Sequence, residues 1–368
     1  MKKVLLVATV QSHIAQFHKP LMRLLKEHGW EVHVAARDNL AEKNGLQLEY
    51  ADKVYNIPFQ RSPFDRRNIA AYKALQKVLK TEHYDVIHCN TPVGGLLTRI
   101  AANKYRKTGT KVYYTAHGFH FYKGAPAKNW LIYYPVEKVL SRLTDKLITI
   151  TREDNELAKE KFHCPVFYLH GVGANSSRFY PISKDEQERQ RQSLGVSGRL
   201  ILSVGELLPN KNQKTAISAM KYILQRYPDA HLLIAGNGPE QENLERLINE
   251  EGLSAHVTLL GYTTHLEKYM QVCDVEIACS YREGLPVNVM EAMLCGKPVV
   301  ASHNRGHNEL IQDGLNGYLV DADDSQAFAR RICDCLEWTY DKGEKIVETI
   351  LPYSDTNVLT ELKELYGL

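Results

Sequence analysis

No Cys-x-x-Cys pair occurs in these 368 residues, and the seven cysteines are an odd number set mostly in apolar runs. That pattern excludes a disulfide framework and a zinc ribbon, and it points to reduced, buried thiols in a cytosolic protein. The chain has no Gly-x-Gly-x-x-Gly and no Gly-x-x-x-x-Gly-Lys-Ser/Thr. It therefore carries neither the usual nicotinamide-binding turn nor the usual phosphate loop. No run approaches the ~18 apolar residues of a transmembrane helix. Met1-Lys2-Lys3 followed by Val4–Val10 resembles a short secretion signal, but the apolar run is minimal and no small-x-small site follows. A buried first strand is expected there instead. Short-period repeats and low-complexity tracts are also missing.

What is present suits two domains of about 180 residues each. The net charge of +3 conceals an asymmetry: residues 1–170 hold 27 Lys and Arg against 15 Asp and Glu, and residues 171–368 hold 19 against 28. A basic half joined to an acidic half suggests that the first domain faces an anionic surface. Arg66, Arg67, Lys73, Lys77 and Lys80 on one predicted helix, and Arg99, Lys104, Arg106 and Lys107 on the next, are the candidates for it. The ordinary reading of such runs is a solvated face.

Strand-like runs alternate with helical patterns throughout. Strands are expected at Val4–Val10, Glu31–Ala36, Lys53–Ile57, Asp85–Asn90, Lys111–His117, Lys146–Ile150 and Val166–Leu169. Helices are expected at Ile14–His28, Arg66–Thr81, Val93–Arg106, Trp130–Leu143 and Arg152–Phe162. After Gly171-Val172-Gly173-Ala174-Asn175 the pattern restarts. Its strands are Arg199–Gly205, His231–Ala235, Val257–Gly261, Val275–Ser280, Pro298–Ala301 and Gly317–Val320. Its helices are Asn212–Arg226, Glu240–Glu251, His265–Val272, Val287–Leu294 and Ser325–Trp338. Such alternation means parallel sheets covered on both faces. Two series imply two doubly wound α/β domains, 1–170 and 171–353, and a last helix within 354–368 crosses back to the first. In such folds ligands sit outside the carboxyl ends of the strands.

Several polar clusters fall there. Glu283-Gly284-Leu285-Pro286-Val287-Asn288-Val289-Met290-Glu291 places Glu283 on the loop after a strand and Glu291 about one turn inside a short helix. A helix N-terminus suits a phosphate, and a carboxylate further in suits ribose hydroxyls. The ordinary alternative is a surface carboxylate plus one favoured by the helix dipole. His117-Gly118 ends a first-domain strand; the imidazole can hydrogen-bond a sugar or move a proton. His120 follows it. Gly205 to Asn212 ends the first strand of the second domain, with Lys211 as a point-charge phosphate ligand. Gly236-Asn237-Gly238-Pro239 needs only to be a tight turn. After the first strand, Gln11-Ser12-His13 stands where a glycine loop is common. His13 and His18 after this strand are acceptor-contact candidates, and Ser12 can equally be a helix N-cap. Asp321-Ala322-Asp323 reads as an N-cap, and no metal set stands out.

Together these residues resemble the GT-B glycosyltransferases, specifically the retaining family 4 enzymes. The resemblance covers essentially the whole chain. Glu283-x7-Glu291 followed by Ala292 to Ala301 carries it, with His117-Gly118-Phe119 and Gly236-Asn237-Gly238-Pro239. It implies two Rossmann-like domains facing a central cleft. It further implies Glu291 on ribose hydroxyls and Glu283 and Gly284 at the transferred sugar. The N–H groups of Leu285, Val287 and Asn288 would lie on the diphosphate, with Lys211 on the leaving diphosphate and His117 near the sugar. Gly205, Gly236, Gly261 and Tyr262 would line the donor site, the last two near the base. Where many relatives have Gly-Arg-Leu this chain has Gly205-Glu206-Leu207, so a supporting cation is missing. A similar subgroup assembles bacterial polysaccharide. The implied reaction is transfer from a UDP-sugar, needing no metal or cofactor, to an undecaprenyl-diphosphate-linked acceptor. The enzyme would be cytoplasmic and peripheral on the inner membrane; nucleic acid is not an expected partner. A UDP-sugar 2-epimerase and a non-catalytic sugar-binding protein are the rival readings.

Overall fold

The computed structural model describes residues 1–42, 46–338 and 341–368. The chain divides into two compact units, Met1–Val172 with Val358–Leu368, and Gly173–Asn357.

The first unit contains β1 (Lys3–Val10), α1 (Gln11–Phe17), α2 (Lys19–Glu27), β2 (Glu31–Arg37), β3 (Lys53–Asn56), α3 (Asn68–Thr81) and β4 (Val86–Asn90). It continues with α4 (Pro92–Arg106), β5 (Lys111–Ala116), α5 (Ala127–Ser141), β6 (Lys146–Thr149), α6 (Arg152–Lys161) and β7 (Val166–Tyr168). Its seven strands lie in the order β3-β2-β1-β4-β5-β6-β7. The printed pairings are all parallel. The central strand β1 is apolar on both faces because helices cover both. Val4 and Leu6 pack to one side with Trp30, and Leu5 and Val7 to the other with Leu75 and Phe119.

The second unit contains α7 (Lys184–Ser193), β8 (Leu200–Val204), α8 (Gln213–Ile223), β9 (His231–Ala235), α9 (Gln241–Glu250), β10 (Val257–Gly261) and α10 (Leu266–Val272). Then come β11 (Val275–Ala278), α11 (Val287–Leu294), β12 (Val299–Ser302), α12 (Arg305–Leu310), β13 (Gly317–Val320), α13 (Ser325–Leu336) and α14 (Asp341–Ile350). Six parallel strands run β10-β9-β8-β11-β12-β13. The last helix, α15 (Asp355–Tyr366), starts in the second unit and ends in the first, where the Tyr366 hydroxyl lies 2.7 Å from His88 Nδ1.

An aspartate marks the amino edge of both sheets. Asp85, Asp145 and Asp274 each precede a strand and accept, at 2.7 Å, the N–H of Lys3, Val112 and Leu200 on the neighbouring strand. Asp52 does the same for Val32. These carboxylates are consumed in ending the sheets, which leaves the opposite, carboxyl edges for ligands.

Four expectations are corrected. The predicted helix Ile14–His28 is two helices broken at His18 (φ −114°, ψ 6°), because Pro20 has no N–H for the carbonyl of Gln16. Ser12 lies inside α1 and caps nothing; its N–H bonds Asn39 Oδ1 and its Oγ accepts from Asn39 Nδ2. The N-cap of α13 is Asp324, one residue past the predicted Asp-x-Asp, with Tyr281 donating to Asp323. Arg99 does not belong to a basic face: it is buried, stacked on Tyr114 and paired with Glu137 at 2.8 Å. Three helices were unread. Polar α7 shows no apolar stripe, although Ser183 and Glu186 form a capping signal. Short α12 has six residues. In α14, Gly343 is a poor helix former set against Gly296.

Candidate functional site

In the second unit the strand order reverses between β8 and β11, and the loops leaving their carboxyl ends are tied together. Tyr281 N–H donates to Asn210 O at 2.9 Å, and Asn210 Nδ2 to Arg282 O at 2.9 Å. Asn212, left-handed at φ 53°, reaches Cys279 O and Ala322 O with its amide. These ties bring Lys211 Nζ to 2.7 Å from Glu283 Oε1, both side chains about one-fifth exposed. Close backbone approach needs glycine here: a Cβ at Gly236 would meet Gly205 O at 2.0 Å, and one at Gly306 would meet Gly284 O at 2.7 Å. Gly261 is also left-handed (φ 74°) and its carbonyl accepts from Gly236 N–H. Tyr262 is 73% exposed, and Glu206 is exposed.

Helix α11 opens at Pro286 with no side-chain cap. By helix geometry the N–H groups of Val287 and Asn288 lack partners within it, and the loop brings Leu285 and Gly284 beside them. A helix start of the kind that suits an anion and the Lys211 ammonium therefore lie at the same switch point. Glu291 is the fifth residue of α11. Burial pushes its carboxyl up to about 7, against a smaller opposing pull from Arg178.

Sequence reasoning missed Glu276. It stands on β11, fully buried, accepting from Asn288 Nδ2 at 2.8 Å through Oε1 while Oε2 receives no hydrogen bond. Burial raises it to about 8, opposed by the Asn288 bond and aided by Glu291. A charged residue inside an otherwise apolar strand was the available signal. Near neutrality the folded protein keeps this proton, whereas the unfolded chain, with an ordinary carboxylate, has lost it. The native state thus binds more protons, and stability falls as pH rises from about 4.5 toward 8. The melting temperature is expected to drop between pH 6 and 8, and Glu276→Gln, which mimics the neutral acid, to drop less. Equal slopes in a thermal-melt series would remove this assignment. His307 was missed too. It is buried, bonds Ser302 O at 2.8 Å through Nδ1, and is lowered to about 4 by burial, with Glu283 and Lys211 close enough to act on it.

The first unit has its own switch point, between β1 and β4. His13 Nε2 lies 3.2 Å from His117 Nε2, which lies 3.3 Å from Asn90 Oδ1. His18 Nε2 is buried without a hydrogen bond. Burial lowers all three imidazoles, His13 to about 4, and the neighbouring histidines add to it for His18 and His117. They are neutral at physiological pH. Their ligand atoms lie within 4.8 Å of one another, so among the described residues this trio is where an ion could be held. The sequence nominates no such set, because its members come from α1 (His13), the break after it (His18) and the end of β5, 104 positions after His13 (His117). His120 stands apart, exposed and stacked on Tyr133 at 4.6 Å.

Known proteins share this fold. The family pattern described as "Glycosyl transferase 4-like" matches residues 3–151, and "Glycosyl transferases group 1" matches residues 184–349. "Putative glycosyltransferase EpsD" of Bacillus subtilis is 44% identical over all of this chain and 96% of its own length. The Escherichia coli "UDP-Gal:alpha-D-GlcNAc-diphosphoundecaprenol alpha-1,3-galactosyltransferase" is 29% identical over 78% of this chain and 77% of its own. Among solved structures, Anabaena HepE in complex with UDP and glucose covers 100% of both chains at 23% identity and a TM-score of 0.73. Two Rossmann-like parallel sheets, these matches and the residues at the two switch points agree: the chain belongs to the GT-B glycosyltransferases, with a family 4-like first domain and a group 1 second domain.

Proposed function

We propose that the protein moves a sugar, with retention, from a UDP-sugar (a UDP-hexose or UDP-N-acetylhexosamine) to an undecaprenyl-diphosphate-linked saccharide in bacterial surface-polysaccharide synthesis. It would work without a metal at the cytoplasmic face of the membrane, attached through its basic first unit. The observation that carries the reading is Lys211, held 2.7 Å from Glu283 beside the uncapped start of α11, with Glu291 one turn in. Departure of UDP places negative charge on the diphosphate, where those N–H groups and the ammonium are already aimed, so little reorganisation is needed. The C1–phosphate bond breaks, the C1–acceptor oxygen bond forms on the same face, and a phosphate oxygen takes the acceptor proton. Glu283 and Gly284 hold sugar hydroxyls, and Glu291 holds the ribose. Gly205, Gly236, Gly261 and Tyr262 line the nucleotide. Neutral His117 accepts a hydrogen bond near the sugar, and His13 and His120 belong to the acceptor side. The Escherichia coli relative's named donor and acceptor favour a UDP-sugar and a diphosphoundecaprenol acceptor, and the HepE complexes hold UDP.

The test is a thermal-shift and turnover screen against UDP, GDP, ADP and their sugars, with and without EDTA. Stabilisation by UDP alone, with EDTA-resistant release of UDP from one sugar, is expected. Loss of turnover in EDTA, restored by a divalent ion, would overturn the metal-free course and move attention to the histidine trio. Isomerised UDP-sugar without acceptor would replace the transferase by an epimerase.

A further inference from the structure

Helix α5 is apolar on both its inward and its outward side. Its inward side carries Trp130, Tyr133 and Tyr134, packed with Phe121 and Phe162, and Glu137, which neutralises buried Arg99. Its outward side carries Leu131 (77% exposed), Ile132, Pro135, Val136 and Val139 (60%). The spacing 131-132-135-136-139 places all five on one stripe. A surface helix of a soluble protein normally carries polar residues on the side away from the core. Exposed cations bracket the stripe: Lys128 at its start, Arg142 just past its end, and Lys123 on the preceding loop. No exposed residue of α5 is acidic. The charge runs first suspected of this role lie on or beside α3 and α4, whose exposed large hydrophobics are single residues, Ile69 and Ile100.

We propose that this face of α5 lies in the headgroup layer of an anionic membrane. It deepens the membrane-surface part of the reading above, and names the element responsible. A helix of 15 residues is about 22 Å long, and five aliphatic side chains along it give shallow burial rather than a span. No helix among the described residues is long and apolar enough to cross a membrane. Pro135, on the same stripe, leaves the carbonyl of Leu131 without its helical donor. That group needs water or a headgroup, which the interfacial layer offers and the hydrocarbon centre does not. The flanking cations select the occupant. Each is worth about five-fold in affinity at an anionic surface, whereas a second copy of the same face would set like charges against each other.

The experiment is co-sedimentation of the intact chain with vesicles of equal phosphatidylglycerol and phosphatidylcholine, and with phosphatidylcholine alone, without nucleotide sugar or acceptor. Binding to the anionic vesicles is expected. The double variant Leu131→Asp with Val139→Asp is expected to lose it about ten-fold or more. Both positions are exposed, so the melting temperature should hold. A polarity-sensitive dye on Val139→Cys should shift to the blue with anionic vesicles. Unchanged sedimentation of the double variant, or an unshifted dye, overturns the proposal. So does a wild-type oligomer that the double variant dissociates, which would give the face to a second copy. Because no sugar transfer is read, vesicle binding with no transferase activity would fault only the enzymatic reading.

Discussion

Lys211→Ala is expected to lower kcat by about a hundred- to a thousand-fold while moving the donor KM only a few-fold, the scale seen when one preorganised charge-stabilising donor is removed. The split follows from when the charge appears. On the proposed reading, a bound nucleotide sugar already carries its diphosphate on the α11 N-terminus and its ribose on Glu291, in both ground and transition states. The charge that grows as the sugar leaves is what the ammonium answers. The chain makes this dependence acute: Glu206 stands where an arginine is common in similar enzymes, so Lys211 is the cation that the loop geometry brings to Glu283. Lys211→Arg is not expected to rescue fully, because a planar fork does not occupy the place of a compact ammonium beside Glu283. Steady-state and single-turnover rates of the purified variants decide it. Wild-type kinetics in Lys211→Ala would sink the phosphate role.

Much of this arrangement was legible in the residues. All thirteen strands among the described residues were expected, within one or two residues at their ends; the central ones are buried on both faces and so read as unbroken apolar runs, while edge strand β3 is mostly exposed. Strand ends then located Lys211, Glu283 and His117. What could not be read depended on distant pairing or on buried charge. Arg99 looks like one of a basic row until Glu137, thirty-eight positions later, is seen to cover it. His18 looked like a helical residue, yet Pro20 frees that position from the helix and turns the side chain inward with His13 and His117. Glu276 read as one more strand residue, although a carboxyl there requires either a partner or a proton, and it has Asn288 and, near neutrality, the proton. The exposed aliphatic side of α5 escaped notice because an aliphatic run with aromatics reads simply as helix. Which side faces water is decided by packing against α4 and the Phe121 cluster.

Glu291 should make donor binding depend on pH. Its carboxyl titrates at about 7, raised by burial. Below that value it is neutral, offering one acceptor oxygen and one O–H to two ribose hydroxyls. Above it, the carboxylate accepts from both, and charge-assisted hydrogen bonds are the stronger kind. The donor KM is therefore expected to fall several-fold between pH 6 and 8, with kcat changing less through this group. Glu291→Gln keeps the shape and one acceptor but cannot ionise, so its KM should be raised and flat across the same range. Glu291→Ala removes both contacts. At about 1.5 kcal/mol or more for a hydrogen bond to a charged group, it should raise the donor KM about ten- to a hundred-fold. Glu276 titrates nearby, and its effect enters through the position of Asn288. A Glu276→Gln enzyme that retains the wild-type KM profile would attribute the pH dependence to Glu291. A profile still sloping in Glu291→Gln would instead shift it to Glu276 or to a group on the substrate, and the ribose assignment would lose its support.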